Sequence, residues 1–309
     1  MLRALFLYLS RAAWARRIVT HWGLARRVAR RFVAGETLEE AITAVRRMNE
    51  KGITATMDVL GESVTDLAMA HQAAEAYLTL IDAIRTNGLQ ATVSLKLTAL
   101  GLDIDATLCR EHMRRILTRA REAGTRVTID MEDHPYTQRT LDLYRLLRNE
   151  DGFQNVGTVI QAYLYRSDAD IAALAAEGAE IRLCKGAYKE PPEIAYPRKK
   201  DVNAAFVRQM KVLLDAAREG RGYPGIATHD ERIIAEAKAY ADAHHIPREA
   251  YEFQMLYGVR PALQEQLVGE GYRLRVYVPY GTQWYPYFMR RLAERPANVW
   301  FFVSNLFRR

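Results

Sequence analysis

The feature that most constrains this 309-residue chain is an alternation repeated eight times. Apolar, β-branched runs lie at Ile53 to Leu60, Ala91 to Leu97, Arg126 to Glu132, Val156 to Leu164, Ile181 to Ala187, Gly225 to His229, Tyr251 to Tyr257 and Tyr272 to Val278. Helical patterns separate and follow them, at Asp66 to Arg85, Ile104 to Ala123, Thr137 to Arg148, Asp168 to Glu177, Asp201 to Arg218, Glu231 to His244, Pro261 to Glu270 and Trp284 to Glu294. Strict alternation implies parallel strands with helical crossovers, and a count of eight favours closure into a (βα)8 TIM-type barrel over an open doubly wound sheet. No G-x-G-x-x-G follows any of these strands, so a Rossmann-type nucleotide fold has no support. The expected division is a helical arm over residues 1–40, then a barrel over residues 41–309 that ends in an extra helix, Asn298 to Phe307.

Side chains alternate across a strand, so parity sorts each strand into an outward and an inward face. In Val93-Ser94-Leu95-Lys96-Leu97 the apolar residues face the helices, which turns Ser94 and Lys96 into the barrel. The same phase turns Thr128, Asp130, Gln161, Arg182, Glu252, Gln254, Leu256 and Tyr277 inward, with His229 inward opposite Thr228. Barrel interiors are ordinarily filled by Val, Ile and Leu, and chemistry sits at the C-terminal ends of the strands, where most of this polar set falls. A buried Lys96 or Arg182 needs a partner or a ligand, because an unpaired charge there costs several kcal/mol, on the order of 3 to 5. A structural pair of Lys96 with Asp130 is the plain alternative. Lys185 and Tyr188 stand at the mouth of the fifth strand, where Gly186 lets a ligand come close to the backbone or simply makes a turn.

The last passage, Tyr272 to Glu294, reads as a strand stopped by Pro279, Tyr280 and Gly281 and followed by a helix. On that helix Arg290 and Glu294 share a face, with Arg291 turned by about 100°. Two adjacent guanidinium groups can converge on one small anion, and each can fork onto a carboxylate.

Composition narrows the partners. The net charge is +7, and eight arginines from Arg3 to Arg31 precede the first acidic residue, Glu36, so the remainder is close to neutral and gives no footprint for nucleic acid. The Arg-rich segment reads as an amphipathic helix that lies on an anionic membrane, serves as a transit peptide, or docks on the barrel. Only Cys109 and Cys184 occur, in no metal-binding spacing, which fits a reducing, cytoplasmic setting and no metal site. Cys184 reads as an inert core residue.

Taken together these segments resemble the proline dehydrogenase family, FAD-dependent enzymes that oxidise L-proline to 1-pyrroline-5-carboxylate on a distorted (βα)8 barrel. The resemblance rests on nine motifs in order across residues 40 to 305. They are DxLGE at Asp58 to Glu62, SLKLTAL at Ser94 to Leu100, TIDMED at Thr128 to Asp133, Gln161-Ala162-Tyr163, RLCKGAY at Arg182 to Tyr188, Ala227-Thr228-His229, EFQMLYG at Glu252 to Gly258, RVYVPYG at Arg275 to Gly281 and RRLAE at Arg290 to Glu294. The length resembles the monofunctional bacterial form.

The resemblance implies that Lys96, Arg290 and Arg291 hold the proline carboxylate, that Tyr277 and Leu256 pack its ring with Tyr277 near the Arg290 guanidinium, and that Asp130 and Glu294 orient the cations. It implies flavin contacts from Gln161, Arg182, Lys185, Gly186, Ala187, Tyr188, Thr228 and His229. It implies hydride transfer from proline C5 to flavin N5, the first step of proline catabolism to glutamate, with electrons passed to a membrane quinone from a peripheral position on the inner face. A pyrroline-5-carboxylate dehydrogenase is the implied downstream partner. Asp58, Glu62 and Tyr257 receive no role. A rival reading is a class I aldolase with Lys96 or Lys185 as the Schiff-base lysine. A basic membrane-binding scaffold leaves the polar barrel interior unexplained.

Overall fold

In a computed structural model, residues 29–61 and 64–294 are described, apart from the side chains of Arg290, Leu292, Ala293 and Glu294. Most of the expected arm, Glu62, the final helix and the side-chain roles of Arg290 and Glu294 lie outside the described residues.

Strands β1 (Thr54–Val59), β2 (Ala91–Leu95), β3 (Val127–Ile129), β4 (Val156–Gln161), β5 (Glu180–Cys184), β6 (Tyr223–Ala227), β7 (Glu252–Leu256) and β8 (Leu274–Tyr280) form a closed parallel barrel in sequence order. The barrel closes through the β1–β8 pairing, from Thr54 opposite Arg275 to Val59 opposite Tyr280. The crossover helices are α2 (Leu67–Thr86), α3 (Ala106–Glu122), α4 (His134–Arg145), α5 (Ser167–Ala176), α6 (Lys199–Arg218), α7 (Glu231–Ala243) and α8 (Pro261–Gly269), and α9 (Trp284–Glu294) follows β8. Each expected unit is present. The second to sixth expected strands ran two or three residues too long at their C-termini, because the chain there turns outward to build the site, whereas β8 continues through Pro279 and Tyr280, which were expected to stop it, because both pair with β1.

One helix was not anticipated. Helix α1 (Leu38–Asn49) closes the N-terminal side of β1 and straddles the expected division at residue 40. Its start is a capping box: Thr37 accepts from Glu40 N while the Glu40 carboxylate reaches back to Thr37 N, which satisfies two orphan donors. Ala41, Val45 and Met48 bury its apolar face in the main core.

The outward strand residues explain what holds the barrel. Val93, Leu95, Ile129, Leu183, Phe253 and Val276 are each 0% exposed against the helices. Burying a side chain of this size stabilises the fold by about 1.5–3 kcal/mol. A second apolar cluster sits at the C-terminal mouth, where Phe32 and Val33 pack with Leu60 and with Trp284, Tyr285 and Phe288 of α9. Ala34 N donates to Pro279 O and Trp284 Nε1 donates to Glu36 Oε1, so the 29–36 segment seats α9 over the barrel.

Candidate active site

A cavity of about 810 Å³ opens at the C-terminal mouth of the barrel. Its inner end is an ion network built by strand ends. Asp58 from β1 is fully buried, and its Oδ2 lies 3.2 Å from Lys96 Nζ at the end of β2. Lys96 also stands 3.7 Å from Asp130 Oδ2, just past β3, so the expected Lys96–Asp130 pair exists but is the longer of two contacts. Arg182 of β5 donates from one guanidinium nitrogen to Asp130 and to Ser94 Oγ, and from Nε to Gln254 Oε1 at 2.7 Å. Tyr277 of β8 holds its hydroxyl 2.7 Å from Oδ2 of both Asp58 and Asp130.

Burial shapes the protonation of this network. Desolvation raises the Asp58 carboxyl above the usual carboxylate range, and repulsion from Asp130 adds to it while Lys96 opposes it. Burial, then the nearby carboxylates Asp130 and Asp58, push the Tyr277 phenol far up, so it remains a hydrogen-bond donor. Tyr77 of α2 completes the shell from outside by donating to Asp58 Oδ1 at 3.1 Å.

Lys96, Asp130, Leu256, Tyr277 and Arg291 all line the cavity. Arg182 stands over the Tyr277 ring at 5.2 Å from its centroid, while the Arg290 side chain expected near that ring lies outside the described residues. Arg291 on α9 instead lies over the Tyr287 ring at 5.2 Å.

The residues expected to contact a flavin line the same cavity, on its β4–β6 side. Gln161 commits its amide nitrogen to Glu132 O at 2.7 Å, which leaves its oxygen as the acceptor. Arg182 is 8% exposed, at the inner end. Lys185 bonds Asn203 Oδ1 at 2.7 Å and Asp230 Oδ2 at 3.0 Å, with Gly186, Ala187 and Tyr188 continuing the wall. Thr228 and His229 both line the cavity, which corrects their expected opposite faces: β6 ends at Ala227, so strand parity no longer applies. His229 Nε2 accepts from Leu256 N at 2.9 Å, and that bond ties the β6 loop to β7. Cys184, half-buried, packs against the main core as expected and also lines the cavity, because it shares the inward phase of Arg182.

Gly186 is explained by packing. It has φ +111°, and a Cβ there would stand 2.3 Å from a carbon of the Tyr163 ring. Close approach of ring to backbone, more than of ligand to backbone, is what requires glycine here. The Tyr163 hydroxyl meets Glu190, whose buried carboxylate also accepts from His134 N at 2.9 Å. Glu190 thereby caps α4, whose own N-cap residue Asp133 makes no side-chain bond, and fastens the loop after β5 to it.

Sequence reasoning left Asp58 without a role. The signal was present in β1, where Thr54, Thr56 and Asp58 share the phase opposite Ala55 and Met57. Glu190 had no such signal, because its partners come from distant loops.

The arrangement can hold a small carboxylate beside Lys96 and Arg291 and a larger planar group along β4–β6. Both lysines of the aldolase reading are engaged by carboxylates, unlike the unpaired, desolvated amine a Schiff base needs. Among the described residues no group of His, Cys, Asp and Glu is placed to hold a metal ion. Burial pushes the Cys109 thiol up to about 12, so it is no nucleophile.

Fold and site define an enzyme of the (βα)8 barrel class with its chemistry at the C-terminal mouth. A family model described as proline dehydrogenase matches residues 41–303. Proline dehydrogenase 1 of Bacillus subtilis (strain 168) is 45% identical over 309 residues, covering 100% of both chains. Proline dehydrogenase of Deinococcus radiodurans is 45% identical over 282 residues, 90% of each chain. The crystal structure of proline utilization A from Bdellovibrio bacteriovorus, inactivated by N-propargylglycine, superposes with a TM-score of 0.83 at 28% identity. That match covers 89% of this chain, which spans 33% of the larger protein. The chain belongs to the proline dehydrogenase family, oxidoreductases acting on the CH–NH group of donors.

Proposed function

We propose that the chain oxidises L-proline to 1-pyrroline-5-carboxylate with FAD held in the barrel-mouth cavity, and passes the electrons to a membrane quinone. The observation that carries this reading is convergence: thirteen residues selected by motif, on separate strands, loops and α9, line one cavity. Its volume of about 810 Å³ suits a cofactor with a small substrate, since such pockets run to about 1,000 Å³. The donor set fits a flavin dinucleotide, with a buried guanidinium and an amide at the inner end and the cations Lys185, Lys199, Arg232 and Arg260 toward the outer end for a pyrophosphate.

When bound, the flavin supplies hydride acceptance from the carbon beside the amine nitrogen. The protein's part is positioning. Lys96 and Arg291 bind the proline carboxylate by charge-assisted hydrogen bonds, with Arg290 as the third cation. Tyr277 and Leu256 pack the ring, Asp58 and Asp130 hold Lys96 and Tyr277 in place, and Glu294 orients the arginines. Arg182 and Gln161 would lie against the flavin, while Lys185 to Tyr188, Thr228 and His229 would supply its remaining contacts. Burial at the inner end, where Asp58 is fully buried and Arg182 is 8% exposed, strengthens the charged contacts there.

Quinone reduction sets the work at a membrane surface. No helix among the described residues is long and apolar enough to cross a membrane, whereas the arginines from Arg3 to Arg27 offer an electrostatic contact. The product, a cyclic imine, suits a downstream dehydrogenase that acts on its hydrolysed aldehyde.

The test is turnover with L-proline and a soluble benzoquinone as acceptor, with the imine trapped by an aromatic amino-aldehyde. Proline-dependent quinone reduction with stoichiometric imine is the expected result. Turnover of a carbonyl substrate inhibited by borohydride, with none on proline, would reverse the assignment.

A further inference from the structure

Arg182 is held by Gln254, which lines the cavity, and through it by Glu252 on the same strand, and we infer that these two, in the space left by Gly225, are positioning residues for it. The inference rests on the reading that Arg182 faces the flavin.

The polarity of the chain of contacts is forced. Glu252 Oε1 accepts from Arg275 Nε at 2.6 Å and from Gln254 Nε2 at 2.7 Å. A carboxylate can only accept, so the nitrogen of the Gln254 amide must face Glu252. Its oxygen then faces Arg182 Nε, which can only donate, at 2.7 Å. The far end is fixed as well, because Arg275 donates to Ala55 O at 2.9 Å and to Thr92 Oγ1 at 3.2 Å. Glu252 therefore sets which way the Gln254 amide points. Gln254 in turn holds the Nε edge of the guanidinium while Asp130 and Ser94 hold another. Held on two edges, the plane of Arg182 has one orientation.

Gly225 shows that this placement is built into the barrel. It pairs with Glu252 in the β6–β7 ladder and with Arg182 in the β5–β6 ladder. A Cβ at Gly225 would stand 2.2 Å from Gln254 Nε2 and 2.7 Å from Gln254 Cδ. Those contacts are all to the Gln254 side chain, so an added methyl displaces the amide and removes no polar group. A purely structural role for Gln254 predicts lost stability alone; a positioning role predicts a change in the electrostatics of the cofactor.

The experiment is a redox titration of the flavin in holoenzyme variants, with thermal midpoints measured beside it. Arg182→Met sets the scale, and the potential falls because a cation that favours the reduced form is gone. Gln254→Met and Gly225→Ala shift the potential in the same direction by a smaller amount. Glu252→Gln keeps an oxygen that accepts from Arg275 and Gln254, and its potential stays at the wild-type value, whereas Glu252→Leu follows Gln254→Met. Any variant that sheds flavin is placed on the same scale by its Kd for added FAD. Wild-type potential and flavin affinity in Gln254→Met and Gly225→Ala, with Arg182→Met shifted, overturns this inference alone. An unshifted Arg182→Met overturns both the inference and the reading of Arg182 beneath it.

Discussion

The Tyr277 hydroxyl lies 2.7 Å from Asp58 Oδ2, and it lies at the same distance from Asp130 Oδ2. A phenol carries one proton, so it donates to only one of these carboxyl groups at a time. Complete burial holds the Asp58 carboxyl above the usual carboxylate range, with Lys96 opposing the shift and the Asp130 charge adding to it. Lys96, within reach of both acids, and Arg182, bonded to Asp130, supply the positive charge that this crowded pair of carboxyl groups needs.

A pH signature follows from the raised Asp58 carboxyl. The folded-state value of Asp58 is raised above the ordinary 3.8, so its contribution to stability is full below 3.8 and is lost as pH rises through the folded value. Asp58→Asn cannot ionise. Its thermal midpoint falls less than that of the parent as pH is raised from about 4 through neutrality. Parallel curves for the two proteins would show that Asp58 keeps its charge in the fold.

The carboxylate contacts are separable from cofactor binding. Lys96→Met and Arg291→Met each remove one charge-assisted contact, worth about 1.5–3 kcal/mol, so kcat/KM for proline falls roughly ten- to a hundredfold. The flavin-to-protein ratio holds. Steady-state kinetics with matched flavin content checks this, and unchanged proline kinetics in both variants would remove the cradle.

Gly186→Ala meets two obstacles at once, the positive φ and the Tyr163 ring. Backbone strain of this kind costs about 1–3 kcal/mol, and relief by moving the ring loosens the cavity wall. The expected outcome is a lowered thermal midpoint together with faster flavin loss on dilution. A variant with parental midpoint and flavin retention would mean that the ring moves aside freely.

Membrane contact is expected to need the arginines before residue 29. Ala29, Phe32 and Val33 are part of the apolar cluster with α9, so the informative truncation removes residues 1–28 and leaves them in place. Each basic residue at an anionic surface is worth about 1 kcal/mol, and salt screens it. Co-sedimentation of the full chain with phosphatidylserine vesicles should fall with salt and vanish on truncation. Equal binding by both chains would place the contact elsewhere.

Strand parity made much of this site legible. Ser94, Lys96, Arg182, Gln254 and Tyr277 point inward because Val93, Leu95, Leu183, Met255 and Val276 bury outward, and a period of two admits no third option. Parity fails where the chain leaves the strand, as at Thr228 and His229. The capping box at Thr37 and Glu40 was readable as a helix start, yet the preceding arginine-rich pattern drew the boundary away from it. Contacts between remote loops, such as Glu190 with His134 and Tyr163, have no period and no spacing, so only the folded chain brings them together.

The central claim is that this barrel holds a flavin which proline reduces. Its most direct measurement is the visible absorption spectrum of the purified chain, recorded under anaerobic conditions before and after addition of L-proline. The account predicts a yellow protein whose flavin band bleaches on adding proline and returns when a quinone is admitted. A colourless protein that takes up no added FAD, or a bound flavin that proline leaves oxidised, would contradict it.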